Sequence, residues 1–146
     1  MDQNASLLAR LAAVGFGGCL GAISRYGISE FIRRRLPGDL PVGTLLANLI
    51  GCFLIGMMMA VFRFEWDQIA LRSRWLSSWQ ESEHVRLLLV TGFLGSLTTF
   101  STFSDETFEL YRRSSHGWAT LHVLMSVVGG LLCVWTGRSL MLSILE

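Results

Sequence analysis

The chain has 146 residues, 51% hydrophobic and 16% charged, with a mean hydropathy of +0.49 and a formal net charge of +1. Apolar content this high makes a membrane protein, and the near-zero net charge leaves no basic face for nucleic acid. Cys19, Cys52 and Cys133 are odd in number without paired spacing, and His84, His116 and His122 form no ligand motif, so neither a disulfide framework nor a side-chain metal site is expected.

Four runs carry no acidic residue and no arginine: Leu11 to Ser24, Leu40 to Phe62, Leu87 to Ser104 and Gly117 to Gly137. Since a spanning helix needs roughly 20 residues, these runs predict four membrane helices in one all-α domain over residues 1–146. Helix one, over about residues 7–30, presents Gly15, Gly17, Gly18, Gly21 and Ala22, small residues that let another helix approach closely. It must extend past Arg10 and Arg25, which snorkel to the interface or, for Arg25, face an aqueous vestibule. Arg10 followed by an apolar run imitates a signal peptide, but Leu20 to Ile28 continues the apolar pattern with no polar mature start.

Arg33-Arg34-Arg35-Leu36-Pro37-Gly38 closes the first helical unit, and Pro41 suits the first turn of helix two, over about residues 42–62. Asn48 is the only strongly polar residue inside that span and needs a partner, either another helix or an anion that its two N–H groups suit. The polar stretch from Arg63 to His84 carries Trp66, Trp75 and Trp79 and reads as an interfacial loop or helix anchored at headgroups.

Helix three, over about residues 85–108, contains Gly92-Phe93-Leu94-Gly95-Ser96-Leu97-Thr98-Thr99-Phe100-Ser101-Thr102-Phe103, a poor sequence for an uninterrupted helix. A break near Ser96 to Ser101 is expected in mid-membrane, where freed carbonyls and amides must meet protein, an ion or water. Asp105, Glu106 and Glu109 follow in the last turns and are expected at the aqueous edge. Helix four, over about residues 118–141, aligns His122, Ser126 and Gly130 on one face, which serves either ordinary helix packing or a polar pore wall.

Arginine placement bears on orientation, because all twelve basic residues are arginine. With four helices, Arg10, Arg63, Arg72, Arg74, Arg86 and Arg138 fall on one side and Arg33, Arg34, Arg35, Arg112 and Arg113 on the other. Neither side dominates, so the positive-inside rule predicts insertion in both directions and an antiparallel homodimer, unless one loop outweighs the other and a single topology results.

Three blocks then resemble the small fluoride channels known as the Fluc, or CrcB, family. They are Gly17-Gly18-Cys19-Leu20-Gly21-Ala22-Ile23-Ser24-Arg25-Tyr26, Gly43-Thr44-Leu45-Leu46-Ala47-Asn48-Leu49-Ile50-Gly51, and Gly92 through Phe103, in family-like order across nearly the whole length. The third block is highly specific. The resemblance implies a dual-topology dimer in the inner (plasma) membrane, with two fluoride pores and a central structural Na⁺. It assigns Phe100, Phe103, Asn48 and Ser126 to the pore and Arg25 to the first-helix arginine. Gly95 and Thr98 match the positions whose backbone carbonyls hold the sodium. His122 and Gly130 depart from the pattern, standing where tyrosine and a hydroxyl residue occur.

The implied activity is passive fluoride export, with self, fluoride and lipid as partners. Aromatic rings have positive edges that replace part of an anion's hydration without trapping it. No P-loop, catalytic triad or nucleotide fold points to an enzyme. A proton-coupled small multidrug transporter would need an acid in its first span, and none lies between Asp2 and Glu30. A structural membrane scaffold is the other alternative.

Overall fold

The computed structural model describes residues 3–36, 40–63 and 83–145; the tryptophan-bearing stretch from Arg63 to His84 lies almost wholly outside them. The described chain is all helical. Helix α1 covers Gln3–Arg35 and α2 covers Val42–Arg63. Helix α3, residues 83–97, is α-helical over Glu83–Arg86, π-helical over Leu87–Leu94 and ends in one α turn at Gly95–Leu97. Helix α4 covers Phe100–Arg112 and α5 covers His116–Leu145. Among the described residues, four stretches are long and apolar enough to cross a membrane: Ser6–Arg35, Val42–Phe62, Glu83–Arg112 and His116–Leu145. The protein is a multi-pass membrane protein.

Helix α1 extends beyond the predicted residues 7–30 at its C-terminal end for an electrostatic reason. Arg33, Arg34 and Arg35 occupy its last turn, where the helix dipole favours cations. Glu30 accepts from both Arg33 (2.7 Å) and Arg34 (2.7 Å), tying that turn together.

The spans alternate in direction. Arg10 near the start of α1 pairs with Glu83 at the start of α3 (3.0 Å), and further along the same two helices Arg25 reaches Ser96. The first and third spans therefore run parallel, and the same registry joins α2 to α5, where Gly129 meets Leu49 and Gly56 meets Val134.

Helix α1 lies directly on the π-helical stretch. At Gly17 and Gly21 an added methyl would overlap the carbonyls of Leu88 and Phe93, so backbone packs on backbone. Among the described residues the buried apolar set is small, comprising Ala47, Ala60, Leu94, Leu97, Leu110 and Ala119, while Phe16, Leu131, Trp135 and many other large apolar residues face outward. That inverted distribution suits hydrocarbon, in which dispersion and close approach rather than water exclusion hold helices together.

Gly21→Ala is therefore expected to cost about 1–3 kcal/mol through overpacking. Gly117→Ala, which meets open space, should change little. Thermal unfolding of the two variants in detergent checks the pair, and equal midpoints would contradict the backbone contact.

Candidate functional site

Between α3 and α4 the backbone leaves the helical region for two residues. Thr98 has φ −90°, ψ 145°, and Thr99 has φ −145°, ψ 118°, both extended. One side chain from α2 meets this interruption as a second strand would. Asn48 Oδ1 accepts from the Thr99 amide (2.8 Å), and Asn48 Nδ2 donates back to the Thr99 carbonyl (3.3 Å). The Asn48 amide thus imitates a peptide group, and of its two N–H donors one is committed to this pairing.

The interruption leaves the carbonyls of residues 95–98 without their helical donors. In an unbroken helix the Thr99 amide would bond Gly95 O, four residues back, but here it serves Asn48. Likewise the Thr102 amide would bond Thr98 O, but it donates to Thr99 Oγ1 (3.3 Å), the N-cap of α4. Other freed groups are met locally. Arg25 Nε donates to Ser96 O (3.2 Å), placing a guanidinium at the C-terminal end of α3, and the Thr98 hydroxyl donates to Leu94 O (3.1 Å). Thr99 Oγ1 also lies within hydrogen-bond distance of Ser101 Oγ (3.2 Å) and Thr102 Oγ1 (3.1 Å).

Gly51 on α2 faces the break. A side chain there would overlap the Thr98 methyl group, so only glycine lets α2 approach this closely.

Phe100 and Phe103 open α4 three residues apart, with ring centroids at 5.6 Å and planes at 46°. Phe100 is 79% exposed, whereas Phe103 is half-buried and meets the His122 ring on α5 (5.2 Å, 48°). A cavity of about 340 Å³ gathers Asn48, Gly95, Thr98, Phe100, Phe103 and Ser126. The sequence-predicted residues of the second, third and fourth spans thus line one space. Arg25 stands apart from that lining and contacts the break through Ser96. The Ser126 hydroxyl is buried and lacks a hydrogen-bond partner among the described residues.

Two polar pairs were not anticipated from the sequence. Thr44 on α2 donates to Glu106 Oε1 (2.6 Å), so Glu106 turns inward, while Asp105 stays exposed as expected of an aqueous edge. Thr107 and His122 Nδ1 lie 3.0 Å apart, which makes the His122 stripe of α5 an inward face. For Glu106 the available signal was its i, i+3 relation to Phe103, which puts both on one face of α4.

Over residues 12–138 the chain matches the family described as CrcB-like protein, Camphor Resistance (CrcB). It belongs to the CrcB family. CrcB relatives similar to this chain include one from Salinibacter ruber, 41% identical over 137 residues that make up 93% of this chain and 92% of the relative. Another, from Methanococcus aeolicus, is 38% identical over 93% of this chain and 98% of its own length. A third, from Dehalococcoides mccartyi, is 38% identical over 85% of each. All three bear the name fluoride-specific ion channel FluC.

The reciprocal Asn48 pair makes a prediction about the break. Asn48→Ala leaves a part-buried amide and carbonyl of Thr99 unpaired and is expected to cost about 1–3 kcal/mol. Amide hydrogen exchange at Thr99 should accelerate with it; unchanged exchange would separate Asn48 from the break.

Proposed function

We propose that this CrcB protein is a fluoride-selective channel that lets fluoride leave the cytoplasm passively across the plasma membrane. The observation that carries the reading is the cavity at the helix interruption, where two phenylalanine rings, the Asn48 amide and the unpartnered Ser126 hydroxyl converge without a fixed cation. The name shared by the three relatives supports the choice of ion.

A small, strongly hydrated anion crosses a membrane only if something replaces its water, and it leaves again only if the replacement is weak. Ring edges of Phe100 and Phe103 present partial positive charge. The second N–H of Asn48 and the Ser126 O–H supply ordinary hydrogen-bond donors. Several such contacts share the desolvation cost, whereas a lysine or arginine in the same place would hold the ion.

The functional unit in this reading is an antiparallel, dual-topology homodimer with the third helix broken at membrane depth and two pores. Phe100, mostly exposed on the single chain yet adjacent to a polar break, gains cover from a second copy. The balanced arginine distribution permits the inverted insertion this requires.

A structural sodium ion fits the same break. Gly95 O and Thr98 O are two of the carbonyls whose helical donors the interruption removes, and two copies related by a two-fold axis would offer four uncharged oxygens. Neutral oxygen donors suit a monovalent cation, and no cluster of His, Cys, Asp or Glu among the described residues suits a transition metal. Bound there, sodium would neutralise carbonyl dipoles that lipid leaves unsatisfied.

Purified protein in liposomes, followed with ion-selective electrodes, should release fluoride and retain chloride; equal release of both ions, or release of neither, would refute the reading. Phe100→Ile is expected to lower fluoride release by about tenfold or more while preserving the dimer, because an aliphatic side chain has no positive edge.

A further inference from the structure

The His122 ring carries a buried nitrogen that the packing does not use. Its environment also fixes its tautomer. The Thr107 hydroxyl has a single proton, donated to the Phe103 carbonyl at 2.7 Å. Toward His122 Nδ1, 3.0 Å away, the same oxygen is left only as an acceptor, so Nδ1 carries the ring proton. In the neutral ring Nε2 is therefore a bare lone pair. His122 is 6% exposed, and Nε2 is buried with no partner among the described residues. A buried acceptor left unpaired costs stability and calls for a ligand.

The ring also continues the aromatic ladder, since Phe100 meets Phe103 and Phe103 meets His122. We propose that His122 is a proton-switched anion contact in the permeation path: neutral, its Nε2 accepts a hydrogen bond from water, and protonated, the same atom donates to fluoride and holds it. The proposal rests on the channel reading above and adds its regulation. The switch is a proton transfer alone. A proton from solvent binds the Nε2 lone pair, acceptor becomes donor, and the ring gains one positive charge beside Phe103. A full charge at a pore wall converts weak multi-site passage into a trap, so acid is expected to slow conduction while tightening fluoride binding.

Around the ring stand Phe103, Thr107, Leu45, Leu110, Trp118 and Met125, none of them ionisable. The ionisable groups that the packed helices carry at this end, Asp105, Glu106, Glu109 and Arg113, line an adjoining cavity that shares Leu40, Pro41 and Leu110 with the one beside His122. Glu106 accepts from Thr44 through Oε1, while its Oε2 is buried without a partner among the described residues. His116 stacks on Tyr111 (4.7 Å). Glu106 is thus the second buried group that acid could change, and the Glu106→Gln variant separates its response from that of His122.

The test compares fluoride release from proteoliposomes at about pH 7.5 and about pH 5.5, with leak from protein-free liposomes subtracted at each pH. Wild-type release should fall on acidification, and His122→Gln should abolish that fall while Glu106→Gln retains it. A wild-type rate unchanged by pH, a fall that survives in His122→Gln, or one lost only in Glu106→Gln overturns the switch and leaves the channel reading standing. Absence of fluoride release from every variant at about pH 7.5 instead refutes the channel reading. Nitrogen-15 spectra of histidine-labelled protein decide the switch independently of flux, with the His122 signal identified by its loss in His122→Gln. A neutral ring protonated on Nδ1, and an Nε2 resonance that moves with added fluoride only at the acidic pH, support it; the opposite tautomer or no response to fluoride overturns it.

Discussion

The reciprocal amide pairing between Asn48 and Thr99 is the contact on which the site depends. A helix interrupted inside hydrocarbon exposes donors and acceptors that lipid cannot satisfy, each at a cost of several kcal/mol. Asn48 answers two of them with one planar group, as a neighbouring strand would. By holding the Thr99 amide, it denies that donor to Gly95 O. The Thr99 hydroxyl does the same to Thr98 O by capping Thr102. The interruption is thus stabilised on its donor side and left electronegative on its acceptor side.

The rest of the architecture serves to bring α2 and α1 up to that point. Gly51 admits α2 against Thr98, and Gly17 and Gly21 admit α1 against the π-helical stretch before the break. Arg25 then reaches Ser96 from α1. Because α4 restarts at Phe100 with a threonine cap, the two phenylalanines emerge at its first turn, where a helix N-terminus already favours negative charge. Aromatic edges, helix dipole and hydroxyl donors therefore point toward the same ion sign without any of them being a fixed charge.

Much of this was legible in the sequence, for identifiable reasons. Charge-free runs mark spans because charge in hydrocarbon is costly, and the runs from Leu11 and Gly117 lie within observed helices. Asn48, Phe100 and Phe103, which line one cavity, were marked by motif blocks, whereas Ser126, which lines it too, was marked by the four-residue spacing of the fourth span. The π-helical turn at Leu87–Leu94 was not legible, since its leucines and valine are equally compatible with an α-helix and it packs against glycines on α1, far away in sequence. Asn48 read as needing a partner, yet that the partner is backbone depended on Thr99 being extended. Glu106 read as one of three terminal acids; its i, i+3 relation to Phe103 separates it from Asp105, and its partner, Thr44, comes from across the bundle.

The central claim is that a break held open by Asn48 creates an uncharged, two-fold site between inverted copies. Cryo-electron microscopy of the protein in lipid nanodiscs, with sodium and fluoride present, examines it most directly. The account predicts two copies of opposite orientation, extended backbone at Thr98 and Thr99, and ion density shared by the Gly95 and Thr98 carbonyls of both. Parallel copies, or a third helix hydrogen-bonded continuously through Thr98 and Thr99, would contradict it.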